Sequence, residues 1–75
     1  MKISIQIKGV LADSMQKTEF EQEFDSPLSL AELERQLPLP RQILSFASVN
    51  GTKAAPGTLL RDGDSVVFVP IVGGG

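Results

Sequence analysis

Three glycines, Gly73, Gly74 and Gly75, stand directly behind the apolar run SVVFVPIV, and the chemistry they suggest belongs to the backbone, not to a side chain. Glycine has no Cβ, so a glycine tail can pass through a narrow channel and a large reagent can approach its carboxyl group unhindered. The Gly75 carboxylate would be the least obstructed one this sequence can present. With Pro70, Ile71 and Val72, the glycines would span about 20 Å when extended, enough to leave a folded body and enter another protein. Fixing three glycines costs on the order of 3–6 kcal/mol. A partner that takes the tail must therefore also bind the body.

No side-chain constellation competes with that terminus. Cysteine and histidine are both absent, which removes thiol nucleophiles, imidazole bases, disulfides and the usual zinc ligands. Glu32 and Glu34 resemble an acid–base pair on paper, but residues two apart on a helix do not face each other. Asp62 and Asp64 flank Gly63 like a fragment of a calcium loop, yet the longer ligand series and the closing glutamate are missing, so a tight turn is expected. Lysines 2, 8, 17 and 53 have no apolar context that would make one a nucleophile. Seven Lys and Arg against nine Asp and Glu leave a net charge of −2. With the cations scattered, nothing forms a stripe for a phosphate backbone, and nucleic acid is not an expected partner. The start, MKISIQIKG, alternates polar and apolar residues, so neither a signal peptide nor a membrane span is expected. A cytoplasmic protein without a membrane partner is the expectation.

The elements that must carry the tail are readable from periodicity. In KISIQIK, Ile3, Ile5 and Ile7 share one face, the period of a half-buried strand. KTEFEQEF repeats it, with Phe20 and Phe24 on one face and Glu19, Glu21 and Glu23 on the other, so the two runs predict a hairpin with a longish loop. In SPLSLAELERQLPLP the period lengthens. Ser29 and Glu32 form a capping box, Leu28 and Leu33 a hydrophobic staple, and Leu30, Leu33 and Leu37 one apolar face of a helix of two to three turns that Pro38 ends. ILSFASV predicts a strand, with turns at Asn50-Gly51, Pro56-Gly57 and RDGD. The last strand, SVVFVPIV, is apolar on both faces, as a central strand would be.

At 75 residues the chain is one domain, and a chain of this size buries only roughly 60% of its unfolded surface. A hairpin, a packing helix and a last strand placed beside the first predict an α+β fold of the ubiquitin-like β-grasp kind: a mixed sheet of four to five strands on one short helix. Residues 1–72 would form the domain and residues 73–75 a flexible C-terminal glycine tail. A ferredoxin-like split unit lacks its second helix here, and a small barrel would leave the helix unexplained.

The stretch VNGTKAAPGTLLRDGDSVVFVPIVGGG resembles the C-terminal half of the MoaD/ThiS-like sulfur carriers, which serve molybdopterin and thiamine synthesis. Asn50 in a hairpin, Leu60 before the Asp62–Asp64 turn, the strand Val66 to Val69, and Gly74 with Gly75 match that family in order and spacing. Within it, the short interval from Asn50 to Asp62 and the FVP at Phe68 to Pro70 resemble the small subunit of molybdopterin synthase. Ile71, where a second proline is often found, and Gly73, where Ala, Ser or Thr is more usual, depart from that pattern, and a VGGG ending also occurs among thiamine carriers.

The resemblance implies a mechanism. A ubiquitin-activating-like adenylating enzyme would use ATP and magnesium to adenylate the Gly75 carboxylate. A sulfur donor protein would convert it to a thiocarboxylate, and the tail, with Gly73 and Gly74 threaded, would enter the larger molybdopterin synthase subunit, a heterotetramer being one arrangement. The chain itself would bind no cofactor or metal and would carry no catalytic side chain. Leu60, Phe68 and Pro70, near the tail, are the expected docking residues, and the sheet face away from the helix the expected docking side. A thiamine-pathway carrier, a ubiquitin-like modifier joined to a lysine through Gly75, and a plain interaction domain that needs no free terminus are the alternatives.

Overall fold

The computed structural model describes residues 1–9, 18–37 and 45–71. Their elements follow the order β1 (Lys2–Ile7), β2 (Glu19–Glu23), α1 (Leu30–Gln36), β3 (Ser45–Val49), β4 (Thr52–Ala54) and β5 (Ser65–Pro70). The strands form one mixed sheet in the order β2-β1-β5-β3-β4. β1 runs antiparallel to β2 and parallel to β5, and β3 is antiparallel to both β5 and β4. The strand with apolar residues on both faces is thus the central one, and the β-grasp expectation holds.

Alternation decides which side chains meet the helix. Ile3, Ile5 and Ile7 of β1, Ala47 of β3, and Val66 and Phe68 of β5 are buried, and they pack with Leu28, Leu30, Leu33, Leu37 and Leu60 in a single core. Each fully buried Ile, Leu or Phe contributes roughly 1.5–3 kcal/mol of transfer free energy. Phe20 and Phe24 extend this core from β2 and its end, half-buried. On the opposite face of the hairpin, Lys2 stands across from Glu23, but Ser4 faces Glu21 and Gln6 faces Glu19. Of those three positions, one sets opposite charges across the strands.

The helix is seven residues long, close to two turns, and its start is fully provided for. The first N–H groups of a helix have no partner within it. Here Leu30 N–H donates to the Thr58 carbonyl, Ala31 N–H to the Pro56 carbonyl, and Glu32 N–H to Ser29 Oγ. Ser29 N–H in turn donates to Glu32 Oε1 at 3.2 Å, completing the capping box. Leu37 ends the helix in an extended conformation, the one favoured before a proline. The same loop that caps the helix is pinned again by Leu60 N–H donating to the Leu28 carbonyl. Residues 55–60 are thereby tied to the helix start, and Leu60 is carried into the core.

Candidate functional site at the foot of the tail

β5 delivers the chain toward the glycines from the middle of the sheet. Its inward residues, Val66, Phe68 and Pro70, are buried, while Val67 and Val69 are half-buried on the face away from the helix. Ile71 follows at 49% exposure. Gly73, Gly74 and Gly75 lie outside the described residues.

The expected docking residues fall elsewhere than on the surface. Phe68 is 1% exposed and Leu60 2%, both in the core, and Pro70 is buried as well. Proximity to the tail along the chain put them forward, but strand alternation turns Phe68 and Pro70 inward, and the tie between Leu60 and Leu28 draws Leu60 under the helix. None of the three offers area to a partner in this state; their weight is on holding β5 and its approach. Among the described residues the exposed large apolar side chains are their neighbours, Leu59 at 67% and Ile71. Reading SVVFVPIV by parity from the polar Ser65 would have pointed outward to 65, 67, 69 and 71.

The face away from the helix has a sorted character. Its centre is apolar, with Val67 and Val69 on β5 and Phe46 paired to Val69 on β3. Lys53 Nζ lies 5.3 Å from the Phe46 ring centroid, a cation–π contact worth about 0.5–1 kcal/mol at an exposed site. Toward the β2 edge, Glu19, Glu21 and Glu23 are all exposed. An apolar centre with an acidic margin suits a protein surface that is apolar at its middle and basic beside it.

The turn before β5 is a junction where side-chain oxygens accept mainly from backbone N–H groups. Asp64 accepts from Asn50 Nδ2 at 2.9 Å and from Arg61 N–H at 2.8 Å, and Ser65 N–H donates to Asn50 Oδ1 at 2.9 Å. Asp62 Oδ1 accepts from Lys2 N–H at 2.7 Å, and Gly63, at φ +87°, donates its N–H to the Lys2 carbonyl. Both carboxylates thus lock the entry to β5 against the start of β1 and the Asn50-Gly51 hairpin, where both residues have positive φ as a type I′ turn requires. Among the described residues no group of three or more His, Cys, Asp or Glu comes together to hold a metal. Glu32 is engaged at the helix cap and Glu34 is exposed, so the two do not converge. A groove of about 510 Å³ between the helix and β3–β4 has Glu34 and Lys53 as its charged lining and assembles no nucleophile with a base.

Comparison with known proteins agrees with this geometry. The model of the ThiS family matches residues 5–75, a span that runs through the glycine tail. The crystal structure of SAMP1 from Haloferax volcanii superposes with a TM-score of 0.75 over the whole of both chains at 16% identity, a likeness of fold. No curated protein matches the chain. No helix among the described residues is long and apolar enough to cross a membrane. A small β-grasp body, a turn that anchors its central strand, and a family match reaching the last glycine identify the chain as a member of the ThiS family of ubiquitin-like sulfur carriers.

Proposed function

We propose that this protein carries sulfur on the carboxylate of Gly75 for molybdopterin synthesis, as the small subunit of a molybdopterin synthase working in the cytoplasm. The carboxylate attacks the α-phosphate of ATP on an adenylating enzyme, pyrophosphate leaves, and a mixed anhydride with AMP remains. A sulfur nucleophile held by a donor protein then attacks the carbonyl carbon and AMP departs. With a cysteine persulfide as the donor the product is an acyl disulfide. A second thiol attacks the donor's own sulfur, the S–S bond breaks as a disulfide forms on the donor, and the thiocarboxylate leaves, its sulfur then attacking the pterin precursor inside the larger subunit. ATP and magnesium belong to the activating partner, and this chain contributes an unhindered terminus and a body that docks.

The family match through residues 5–75 is the observation that carries the carrier reading, and the short interval from Asn50 to Asp62 with the FVP at Phe68 to Pro70 supports the molybdopterin branch. The carrier reading is further supported by a described body in which Asp62, Asp64 and Glu32 are spent on turns and the helix cap. Docking falls to the sheet face away from the helix, centred on Val67 and Val69, so that one surface serves successive partners and must release each of them.

Intact-mass analysis of the protein purified from its native host, without reduction or alkali, tests the carrier. A fraction heavier by the difference between sulfur and oxygen, localised to the last peptide, is expected. Unmodified chain together with species joined through Gly75 to lysines of other proteins would replace the carrier with a modifier. The pathway is read separately: a host lacking this chain should lose its molybdoenzyme activities and grow without added thiamine, and rescue by thiamine would transfer the carrier to that pathway.

A further inference from the structure

The ladder between β1 and β5 stops at Pro70 for a covalent reason. Lys8 N–H donates to the Phe68 carbonyl at 3.0 Å, and the next bond on that edge would need an N–H from residue 70, which proline lacks. The parallel register pairs Ile7 with Phe68, so two residues on it sets position 9 beside position 70, and position 9 is glycine. Gly9 has φ +62°, and the place its Cβ would occupy is 2.7 Å from Pro70 Cγ and 3.2 Å from Pro70 Cδ. The proline ring has taken the space a side chain at residue 9 would fill. At Gly51, Gly57 and Gly63 the same position has nothing within 4 Å, so among the described glycines this close approach is particular to Gly9. Beyond it the chain passes from buried Pro70 to exposed Ile71 in one residue.

We infer that the contact between Gly9 and Pro70 sets the point and direction at which the tail leaves the body, which makes Gly9 a positioning residue for the reaction at Gly75. The inference rests on the carrier reading. Five residues follow Pro70, about 17 Å fully extended, so a docked body leaves little slack to absorb a displaced exit. A misplacement of about 1 Å at reacting atoms can cost roughly 100-fold in rate.

The test is a double-mutant cycle of Gly9→Ala and Pro70→Ala with two readouts. One is the Ile71 amide resonance and its hydrogen exchange in the free protein; the other is pyrophosphate release and thiocarboxylate formation with the host adenylating enzyme, ATP, magnesium and sulfide. Gly9→Ala should shift the Ile71 amide and lower kcat by roughly 5- to 100-fold with KM unchanged, because the docking face is untouched. In the Pro70→Ala background the same substitution should lower kcat by clearly less, since the ring it displaces is gone and only the strain of an L residue at φ +62° remains. A folded Gly9→Ala protein with wild-type kcat, a wild-type Ile71 amide, or equal losses in both backgrounds overturns the inference. Should Gly9→Ala fail to fold, Pro70→Ala alone decides: it keeps Gly9, should lower kcat by itself, and refutes the inference if kcat stays at the wild-type value. Absence of pyrophosphate release from the wild-type chain would instead sink the carrier reading, while the Ile71 amide still reports the contact.

Discussion

Asp64 makes four hydrogen bonds to three parts of the chain. Its carboxylate accepts from Asn50 and Arg61, its carbonyl accepts from Ser4 N–H, and its own N–H closes the turn onto Arg61. Asp64→Ala removes the two side-chain bonds at a site that water can reach, so a loss of about 1–2 kcal/mol is expected, read as a lower urea midpoint at unchanged slope. Asp64→Asn keeps an acceptor for Arg61 and should cost less. Each of the two turns was legible by itself, Asn50-Gly51 from its dipeptide and Asp62 to Asp64 from its central glycine. Their union was not, because Asn50 and Asp64 are 14 residues apart and no local pattern relates them. The same holds for Gly9 and Pro70, which the parallel register brings together from opposite ends of the domain.

The helix shows how a short element holds its place. Seven residues are too few to be stable alone in water, so the cap and the leucine face must supply what propensity cannot. Ser29→Ala should cost about 1 kcal/mol, and Leu33→Ala, at a fully buried site, about 2–5 kcal/mol. Against a total of roughly 4–11 kcal/mol for a chain this size, the leucine change should leave a substantial unfolded fraction on warming, measured by circular dichroism, whereas the cap change should only lower the Tm. Helix position, capping box and leucine face were all readable, because each is set by residues within one or two turns. The fate of Leu60 was not, since it depends on a loop that completes the helix start through backbone bonds from Thr58 and Pro56. For β5 the strand itself was plain, but apolar residues on both faces left open which parity points inward, and nearness to the tail favoured the wrong one.

Across the molecule, charge is sorted toward the β2 margin of the open face, where Glu19, Glu21 and Glu23 line up outside the core. Acidic residues on an edge strand oppose pairing with a second sheet, and on the proposed docking face they would also steer a basic partner toward the apolar centre. Replacing all three by Gln should leave stability within about 0.5 kcal/mol, slow association with the adenylating enzyme and flatten its dependence on ionic strength, as stopped-flow binding at several salt concentrations would show. An unchanged association rate at low salt would remove the steering role. The sheet order has a further consequence, for the birth of the protein. The strand made last is the one that sits in the middle, hydrogen-bonded to β1 on one side and β3 on the other. A nascent chain lacking residues 65–70 has two separate sheet fragments and an open core, so synthesis broken off before Ser65 should yield a product open to proteolysis. Folding therefore waits on the last strand made, because only β5 joins the β1–β2 pair to the β3–β4 pair and closes the core between them.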